Sequence, residues 1–294
     1  MKAVVFPGQG SQFVGMAVER CQSDPSAKKI IDQADEILGF SLSEIMFEGP
    51  EETLKQTEFT QPALYVHSMA VYQSAEITPN CVAGHSLGEF SALTAAGVFS
   101  FEDGLKLVRL RGQLMQAAGE QSSGSMGAVI GLADDEVAQI CETVSEKLDE
   151  IVVPANYNSK GQIVISGHSN AVSSALKASK EAGAKMAIPL AVSGAFHSPL
   201  MQPAYDEFKL SLEKVVFADA QVPVYSNVNA TPSQSAQELK KNVLQQLLEP
   251  VLWTQTIEQM VSDGVKEVVE LGPGKVLQGL VKRINRSLQL SGIQ

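Results

Sequence analysis

One pentapeptide constrains the fold more than any other segment of this chain, Gly84-His85-Ser86-Leu87-Gly88. It lies between a short apolar run, Cys81-Val82-Ala83, and a helix-like stretch from Glu89 to Ala96. A serine between a strand and a helix occupies a strained turn, which requires residues without a Cβ two positions before and after it. The pattern therefore predicts an exposed serine hydroxyl, as in a nucleophile elbow. A glycine-flanked turn with a helix-capping serine would give the same spacing.

Two backbone N–H groups near this serine are candidates for binding a developing oxyanion. Because Ser86 opens a helix, the N–H of Leu87 is predicted to lie unpaired at the positive end of the helix dipole. The first predicted strand, Lys2 to Phe6, runs into the loop Pro7-Gly8-Gln9-Gly10-Ser11-Gln12. This loop completes neither glycine-rich spacing of nucleotide-binding proteins. We therefore expect it beside the elbow, with the Gln9 N–H as the second donor.

The length and composition limit the protein class. At 294 residues the chain is long for one core and short for two full domains, which favours one large domain with a smaller insertion. The three cysteines are widely spaced and predict neither a disulfide framework nor a metal cluster. The N-terminus has a strand pattern rather than a signal peptide, and no apolar run reaches about 18 residues. We therefore expect a cytoplasmic protein with no membrane partner, and its net charge of −11 argues against a nucleic-acid partner.

The order of predicted elements indicates an α/β fold with an inserted subdomain. Residues 125–190 alternate as strand, helix, strand, strand, helix and strand, which is the split βαβ arrangement of ferredoxin-like folds. We assign residues 123–192 to this small ferredoxin-like subdomain. The segments on either side alternate strand and helix again, so residues 1–122 and 193–294 are assigned to a large α/β-hydrolase-like domain with a parallel-sheet core.

Local signals predict the bounds of two helices. Thr60-Gln61-Pro62 supplies a cap residue and a first-turn proline, which predicts a helix from Gln61 to Ala75. His67 lies inside that helix among apolar residues, so we interpret it as a packed core residue rather than a ligand. At the other end of the chain, a final helix is predicted from Val276 to Leu288, after a turn rich in glycine.

Arg111 is predicted on the apolar face of a helix that starts with the capping signal at Ser100 and reaches about Ala118. Arg109, on the same helix, points away from that face. A buried guanidinium needs an anion, because an unpaired charge inside a protein costs several kcal/mol. The partner of Arg111 is therefore either a structural carboxylate or a substrate anion, and the spacing does not choose between them.

His197 is predicted on a loop immediately before a helix that begins at Ser198 and Pro199. A loop histidine held against a helix start, downstream of the serine, is placed as the base of a hydrolase would be. The acidic residues between Ser86 and His197 lie in exposed helical runs, and none is assigned as a third member. A backbone carbonyl or an amide could orient the imidazole instead.

Six separated motifs occur in order along the chain: Phe6-Pro7-Gly8-Gln9-Gly10-Ser11-Gln12, Thr60-Gln61-Pro62-Ala63, Gly84-His85-Ser86-Leu87-Gly88-Glu89, Arg111-Gly112, Phe196-His197 and Glu270-Leu271-Gly272-Pro273-Gly274. Taken together they resemble one enzyme family, the malonyl-CoA:acyl carrier protein transacylases of bacterial fatty acid synthesis and of polyketide synthases. The resemblance spans nearly the whole chain and is far more specific than the pentapeptide alone.

The resemblance implies ping-pong transfer of a malonyl group from malonyl-CoA to the phosphopantetheine thiol of acyl carrier protein. In this scheme Ser86 attacks the thioester and His197 accepts its proton, giving a malonyl-serine intermediate. The N–H groups of Gln9 and Leu87 form the oxyanion hole. No metal or redox cofactor is implied, because the coenzyme A thioester enters as a substrate.

The resemblance also assigns the substrate-binding residues. The family arginine that matches Arg111 binds the free malonyl carboxylate, and Gln246 matches a glutamine whose main-chain carbonyl orients the catalytic histidine. The remaining residues assigned to the substrate site are Gln61, His85 and Phe196.

Other functions remain open at this point. A discrete acyltransferase of a polyketide pathway would carry the same motifs, and a serine esterase or thioesterase would use the same serine and histidine on water. A hydrolase, however, predicts an acidic third member and no role for Arg111. A scaffold that only binds carrier protein would tolerate loss of Ser86. For the transferase we expect a monomer whose acidic carrier protein docks on a basic patch formed by Lys185, Lys275, Arg283 and Arg286.

Overall fold

The computed structural model describes all 294 residues, and its strands form two separate sheets. The ten strands are β1 Lys2–Phe6, β2 Cys81–Gly84, β3 Gly124–Ile130, β4 Val152–Ser159, β5 Gln162–His168, β6 Met186–Pro189, β7 Val224–Tyr225, β8 Pro232–Ser233, β9 Glu267–Leu271 and β10 Gln289–Ile293. The helices are α1 Val18–Ser23, α2 Pro25–Leu38, α3 Leu42–Phe47, α4 Glu51–Leu54, α5 Thr57–Ser74, α6 Gly88–Ala95, α7 Phe101–Gln121, α8 Asp134–Leu148, α9 Ser169–Glu181, α10 Gln202–Leu212, α11 Ala236–Gln245, α12 Trp253–Ser262 and α13 Val276–Ile284, with a short 3-10 helix at Pro199–Met201.

The first sheet has six strands in the order β10-β9-β1-β2-β7-β8, and all neighbours are parallel except the last pair. Its central strands are apolar on both faces because helices cover both. On one face Val4, Phe6 and Val82 join the largest core with α2, α5, α6 and α7, whereas the opposite face packs on α12 and α13. In the register of β1 on β2, Phe6 lies opposite Gly84, so the loop after β1 and the pentapeptide leave the same edge of the sheet.

The second sheet is antiparallel, with the order β4-β5-β3-β6, and α8 and α9 pack with it around a core of their own. In chain order this is strand, helix, strand, strand, helix and strand, with the first strand between the third and the fourth. That is the ferredoxin-like arrangement, so the predicted fold class is confirmed. The domain boundaries at 122/123 and 192/193 stay a prediction.

Hydrogen bonds join β4 of the second sheet to Val251 and to the start of α12. The Tyr157 N–H donates to Val251 O at 2.9 Å, and the Val251 N–H donates to Ala155 O at 2.9 Å. The Thr254 hydroxyl donates to Tyr157 O at 3.0 Å. In the same region Asn158, at the end of β4, contacts His85, which follows β2.

Helix α5 begins at Thr57, so the predicted start at Thr60-Gln61 is wrong. Pro62 therefore lies inside the helix, where it cannot donate to the carbonyl of Glu58. Arg109 of α7 replaces the missing donor, with its Nη1 2.5 Å from Glu58 O. Thr60 is no cap, because its hydroxyl donates to Leu54 O at 2.5 Å. His67 is buried as predicted, with 1% of its surface exposed.

The predicted final helix is wrong beyond Ile284, where α13 ends. Asn285 has an extended backbone, and its Oδ1 accepts hydrogen bonds from the N–H of Ser287 at 2.8 Å and from its hydroxyl at 2.7 Å. This turn sends the chain back as β10, which pairs in parallel with β9. None of the helices combines the length and apolarity needed to cross a membrane.

Candidate active site

The turn that carries Ser86 follows β2 directly and precedes α6, and its backbone requires both flanking glycines. Ser86 has φ 50°, a left-handed conformation that is strained for a residue with a side chain. A Cβ on Gly84 would lie 1.9 Å from the Gly88 carbonyl, and one on Gly88 would lie 2.1 Å from Phe6 O. The Ser86 N–H donates to Asn227 Oδ1 at 2.7 Å, which holds the strained turn in place. The structure thus has the predicted elbow geometry.

His197 contacts both the serine and a backbone carbonyl. Its Nε2 lies 2.7 Å from Ser86 Oγ, and its Nδ1 lies 2.7 Å from Gln246 O. Because a carbonyl only accepts, Nδ1 carries the proton and Nε2 is left to accept from the hydroxyl. Burial, and secondly the charge of Arg111, lower the pKa of His197 to about 3. The imidazole is therefore neutral at physiological pH and can act as a base.

Arg111 is 1% exposed and has only neutral hydrogen-bond partners. Its Nη1 donates to Gln61 Oε1 at 2.8 Å, and its Nη2 donates to Gln246 Oε1 at 2.9 Å and to Ser86 Oγ at 3.3 Å. None of the ion pairs of the protein includes Arg111, so a structural carboxylate in direct contact is ruled out. Its Nε has no partner, and burial lowers the pKa of the guanidinium to about 10. This environment leaves the charge available to an anionic ligand beside Ser86.

The two candidate oxyanion donors are unpaired within the protein. The N–H groups of Gln9 and Leu87 donate to no protein acceptor, and Leu87 is the residue that precedes the first turn of α6. Gly8 brings the first of them close to the elbow, because a Cβ on Gly8 would lie 2.4 Å from His85 O. The side chain of Gln9 is held separately by Thr57 Oγ1, at 3.3 Å from its Nε2.

The other predicted substrate residues fall into different environments. Gln61 is buried and belongs to the Arg111 contacts. His85 instead faces the second sheet, with its Nε2 2.8 Å from Asn158 Oδ1 and its ring 5.6 Å from that of Trp253. Burial lowers the pKa of His85. Phe196 is a member of the largest hydrophobic core.

Sequence reasoning missed two polar residues beneath the serine. Asn227 accepts from the Ser86 N–H, and its Nδ2 donates to Gly84 O at 2.7 Å. Glu89 is 1% exposed, and its Oε2 accepts from Gln246 Nε2 at 2.5 Å and from the Asn227 N–H at 3.2 Å. An acid inside an otherwise apolar first turn was an available signal for Glu89, whereas Asn227 follows a two-residue strand with no such signal. We call these hydrogen-bonded residues the site network: Ser86, Glu89, Arg111, His197, Asn227 and Gln246.

The four cations predicted as one docking patch do not form one surface. Lys275 and Arg286 line a cavity of about 430 Å³ on α13, together with Lys282, Leu288 and Leu290. Arg283 turns away from it and donates to Gln162 of the second sheet. Lys185, just before β6, lies against Gly131, just after β3. No group of three or more His, Cys, Asp or Glu side chains is arranged to hold a metal ion.

Comparisons with known proteins agree with one another over almost the full chain. Residues 3–291 match the model of the acyl transferase domain family. The chain is 44% identical over 293 residues to the malonyl CoA-acyl carrier protein transacylase of Staphylococcus aureus (strain MRSA252), which covers 99% of this chain and 95% of that protein.

Two solved structures superpose closely on this chain. An acyl carrier protein S-malonyltransferase from Vibrio cholerae has a TM-score of 0.96 at 44% identity, over 100% of this chain and 96% of the other. A malonyl-transacylase in complex with its type II PKS acyl-carrier protein has a TM-score of 0.95 at 42% identity, over 99% of this chain and 95% of the other.

Proposed function

The chain belongs to the acyl transferase family, and from this membership we propose that it is a malonyl-CoA:acyl carrier protein S-malonyltransferase that works through a malonyl-serine intermediate. The observation that carries the proposal is that Arg111, which is buried and touches no carboxylate, donates a hydrogen bond to the hydroxyl of Ser86. A nucleophile beside a guanidinium without a carboxylate partner suits an acyl group that ends in a carboxylate. The names of the most similar relatives point to the same substrate.

The first half-reaction acylates the serine. His197 Nε2 takes the Ser86 hydroxyl proton while Oγ bonds to the thioester carbon. Before the reaction, Nε2 and Oγ lie 2.7 Å apart. The carbonyl oxygen becomes an oxyanion facing the N–H groups of Gln9 and Leu87, and such a donor is typically worth ~10² to 10³ in rate. Collapse of this tetrahedral intermediate breaks the C–S bond, and Nε2 returns its proton to the departing sulfur. Coenzyme A therefore leaves as the thiol, and His197 is neutral again for the second half-reaction.

The second half-reaction repeats these steps with the phosphopantetheine thiol of acyl carrier protein. The thiol gives its proton to His197 Nε2, its sulfur bonds to the ester carbon, and Ser86 Oγ leaves with that proton. The Gln246 carbonyl accepts from Nδ1 in both halves and keeps Nε2 directed at the reacting atoms. The solved complex of a relative with its acyl-carrier protein supports such a partner.

Arg111 supplies the selectivity in this proposal. A malonyl carboxylate would accept from its guanidinium in a charge-assisted pair, whereas an acetyl group would leave the desolvated charge without an anion. The cavity lined by Lys275, Lys282 and Arg286 is the docking surface we assign to the acidic carrier protein, since three cations there oppose the net charge of the chain.

Intact-protein mass after brief incubation with malonyl-CoA tests the proposal, with acetyl-CoA in parallel and Ser86→Ala as the control. We expect the parent chain to gain one malonyl group and little acetyl, and the Ser86→Ala variant to gain neither. A parent that stays unmodified while free malonate accumulates would indicate a hydrolase, and no reaction at all would indicate binding alone.

A further inference from the structure

Gln246 connects the base to the arginine. Its main-chain carbonyl accepts from His197 Nδ1, and its side-chain Oε1 accepts from Arg111 Nη2 at 2.9 Å. Its Nε2 points the opposite way, to Ser86 O at 3.0 Å and to Glu89 Oε2 at 2.5 Å. If the side-chain amide of Gln246 rotated by 180°, its NH₂ group would face the guanidinium of Arg111, and both groups are hydrogen-bond donors. The catalytic geometry therefore depends on what holds the Gln246 amide in its present orientation.

Glu89 is the charged acceptor of that amide. Its Oε2 also accepts from the N–H of Asn227, whose side chain holds the Ser86 backbone. Its Oε1 is buried with no hydrogen-bond partner. Even with the Ser226 hydroxyl nearby, a buried carboxylate with one oxygen outside hydrogen-bond distance of any donor is costly, and packing alone does not explain its presence. It contributes the negative charge nearest to Arg111 without touching it, because the Gln246 amide lies between the two.

We propose that Glu89 is a positioning residue that acts through Gln246, fixing the amide so that Arg111 and His197 face Ser86, and that its carboxylate must be ionised to do so. This inference rests on the proposed function, because it assigns how the same site holds its arginine and its base. The full contact runs from Glu89 Oε2 to Gln246 Nε2, and from Gln246 Oε1 to Arg111 Nη2. A protonated or amide side chain at position 89 would weaken the first bond by removing its charge.

The pH dependence follows from the groups that face Glu89. These are the charge of Arg111 on α7 and the uncharged polar groups of Gln246, Asn227 and Ser226. Burial raises the pKa of Glu89 from 4.5 to about 7, against the lowering effects of its hydrogen bonds and of Arg111. Glu89 is therefore ionised above about pH 7 and protonated below it, whereas His197, with a pKa near 3, stays neutral across this range.

The test compares Glu89→Gln, Glu89→Asp and the parent by the rate of malonyl-enzyme formation between pH 5.5 and 8.5. For the parent we expect a rate that falls as pH drops through about 7. For Glu89→Gln we expect a rate about 10- to 100-fold lower at pH 8 and independent of pH, equal to the low-pH limit of the parent. The malonyl-to-acetyl rate ratio should fall about tenfold in the same variant, and Glu89→Asp should recover part of the pH dependence.

Glu270→Gln is the matched control, because Glu270 is a second fully buried glutamate, one that caps α13. It should keep the parent pH profile and acyl selectivity. A Glu89→Gln enzyme with the parent profile and selectivity, or a Glu270→Gln enzyme that loses both, would overturn the inference.

A second readout separates this inference from the proposed function. Sulfonylation of Ser86 by phenylmethanesulfonyl fluoride depends on the Ser86–His197 pair and needs no malonyl group. If the parent is sulfonylated but never malonylated, the proposed function fails while Glu89 is still tested. A Glu89→Gln rate about tenfold below the parent at pH 8 would then support the positioning role, and equal rates would refute it.

Discussion

Helix α7 carries two arginines into two regions with opposite character. Arg109, on the outer side, pairs with Glu58 Oε2 at 2.9 Å, donates to the Glu58 carbonyl, and stacks over Phe40 and Phe59 at 5.2 and 4.8 Å. Arg111, in the site network, is more deeply buried and yet has only neutral partners. The outer arginine touches an anion of the protein, whereas the inner one touches none and is separated from Glu89 by the Gln246 amide.

Two buried glutamates repeat this contrast. Glu270 uses both oxygens, because Oε1 accepts from the Leu277 N–H at 3.0 Å and Oε2 from the Gln278 N–H at 3.1 Å. Glu89 uses only Oε2 and leaves Oε1 without a partner. Arg109 and Glu270, which have full sets of partners, lie outside the site network, whereas Arg111 and Glu89, which have incomplete sets, belong to it. A site that must bind a charged ligand leaves some of its own charged side chains without a full set of partners.

The largest expected effect separates the two arginines. We expect Arg111→Ala to lower kcat/KM for malonyl-CoA about 10³-fold while admitting acetyl groups, because the carboxylate loses its charge-assisted partner. Arg109→Ala should leave the malonyl-to-acetyl ratio unchanged. It should lower the free energy of unfolding by about 1–2 kcal/mol, because the Glu58 carbonyl, to which Pro62 cannot donate, would lose its remaining donor. Steady-state kinetics with both thioesters and urea unfolding measure these outcomes.

Arg111→Lys sharpens the comparison, because it keeps the charge without the planar fork. We expect selectivity between that of the parent and that of Arg111→Ala. If Arg111→Ala retained full malonyl selectivity, the assignment of this guanidinium to the substrate carboxylate would be wrong.

The next effect concerns the free energy of unfolding of the two glutamate variants. The folded-state pKa of Glu89 is raised from 4.5 to about 7. Ionisation of Glu89 therefore does not change the free energy of unfolding below pH 4.5 and lowers it by the full amount above pH 7. Glu89→Gln should therefore stabilise the protein by about 1–3 kcal/mol at pH 8, and the gain should shrink as pH falls toward 4.5.

Glu270→Gln should do the opposite at pH 8 and destabilise by about 1–3 kcal/mol. An amide NH₂ would face one of the two N–H groups that the carboxylate now accepts from, leaving a buried donor unsatisfied. Urea unfolding at several pH values measures both variants. Destabilisation by Glu89→Gln at pH 8 would show that the Glu89 carboxylate, like that of Glu270, is needed by the fold.

The sequence was informative where the chemistry is local. The glycine spacing predicted the strained turn at Ser86, and helical periodicity predicted the burial of Arg111, because both depend on residues within a few positions. Helix α5 began earlier than predicted, since the bond lost at Pro62 is replaced by Arg109 from another helix. Strand β10 was missed because its pairing with β9, rather than its own composition, makes it a strand.

The inner polar contacts were beyond sequence reasoning for the same reason. Asn227, Glu89 and the side chain of Gln246 are brought together by three separate segments of the chain. No periodicity links them, so only the folded arrangement identifies Asn227 and Glu89 as parts of the site. The role of Gln246 in orienting His197 came from family resemblance and remains a proposal.

The smallest expected effect distinguishes two basic surfaces outside the site network. We expect the pair Lys282→Glu and Arg286→Glu to raise the KM for acyl carrier protein about 3- to 10-fold at low ionic strength, because the cavity on α13 loses its attraction for an acidic partner. Acylation of Ser86 by malonyl-CoA should be unchanged, and added salt should remove the difference. Lys185→Glu, with a single charge reversed on the second sheet, should change the KM less than twofold. Equal effects at both surfaces would mean that the net charge of the enzyme, and not the α13 cavity, governs the encounter with the carrier protein.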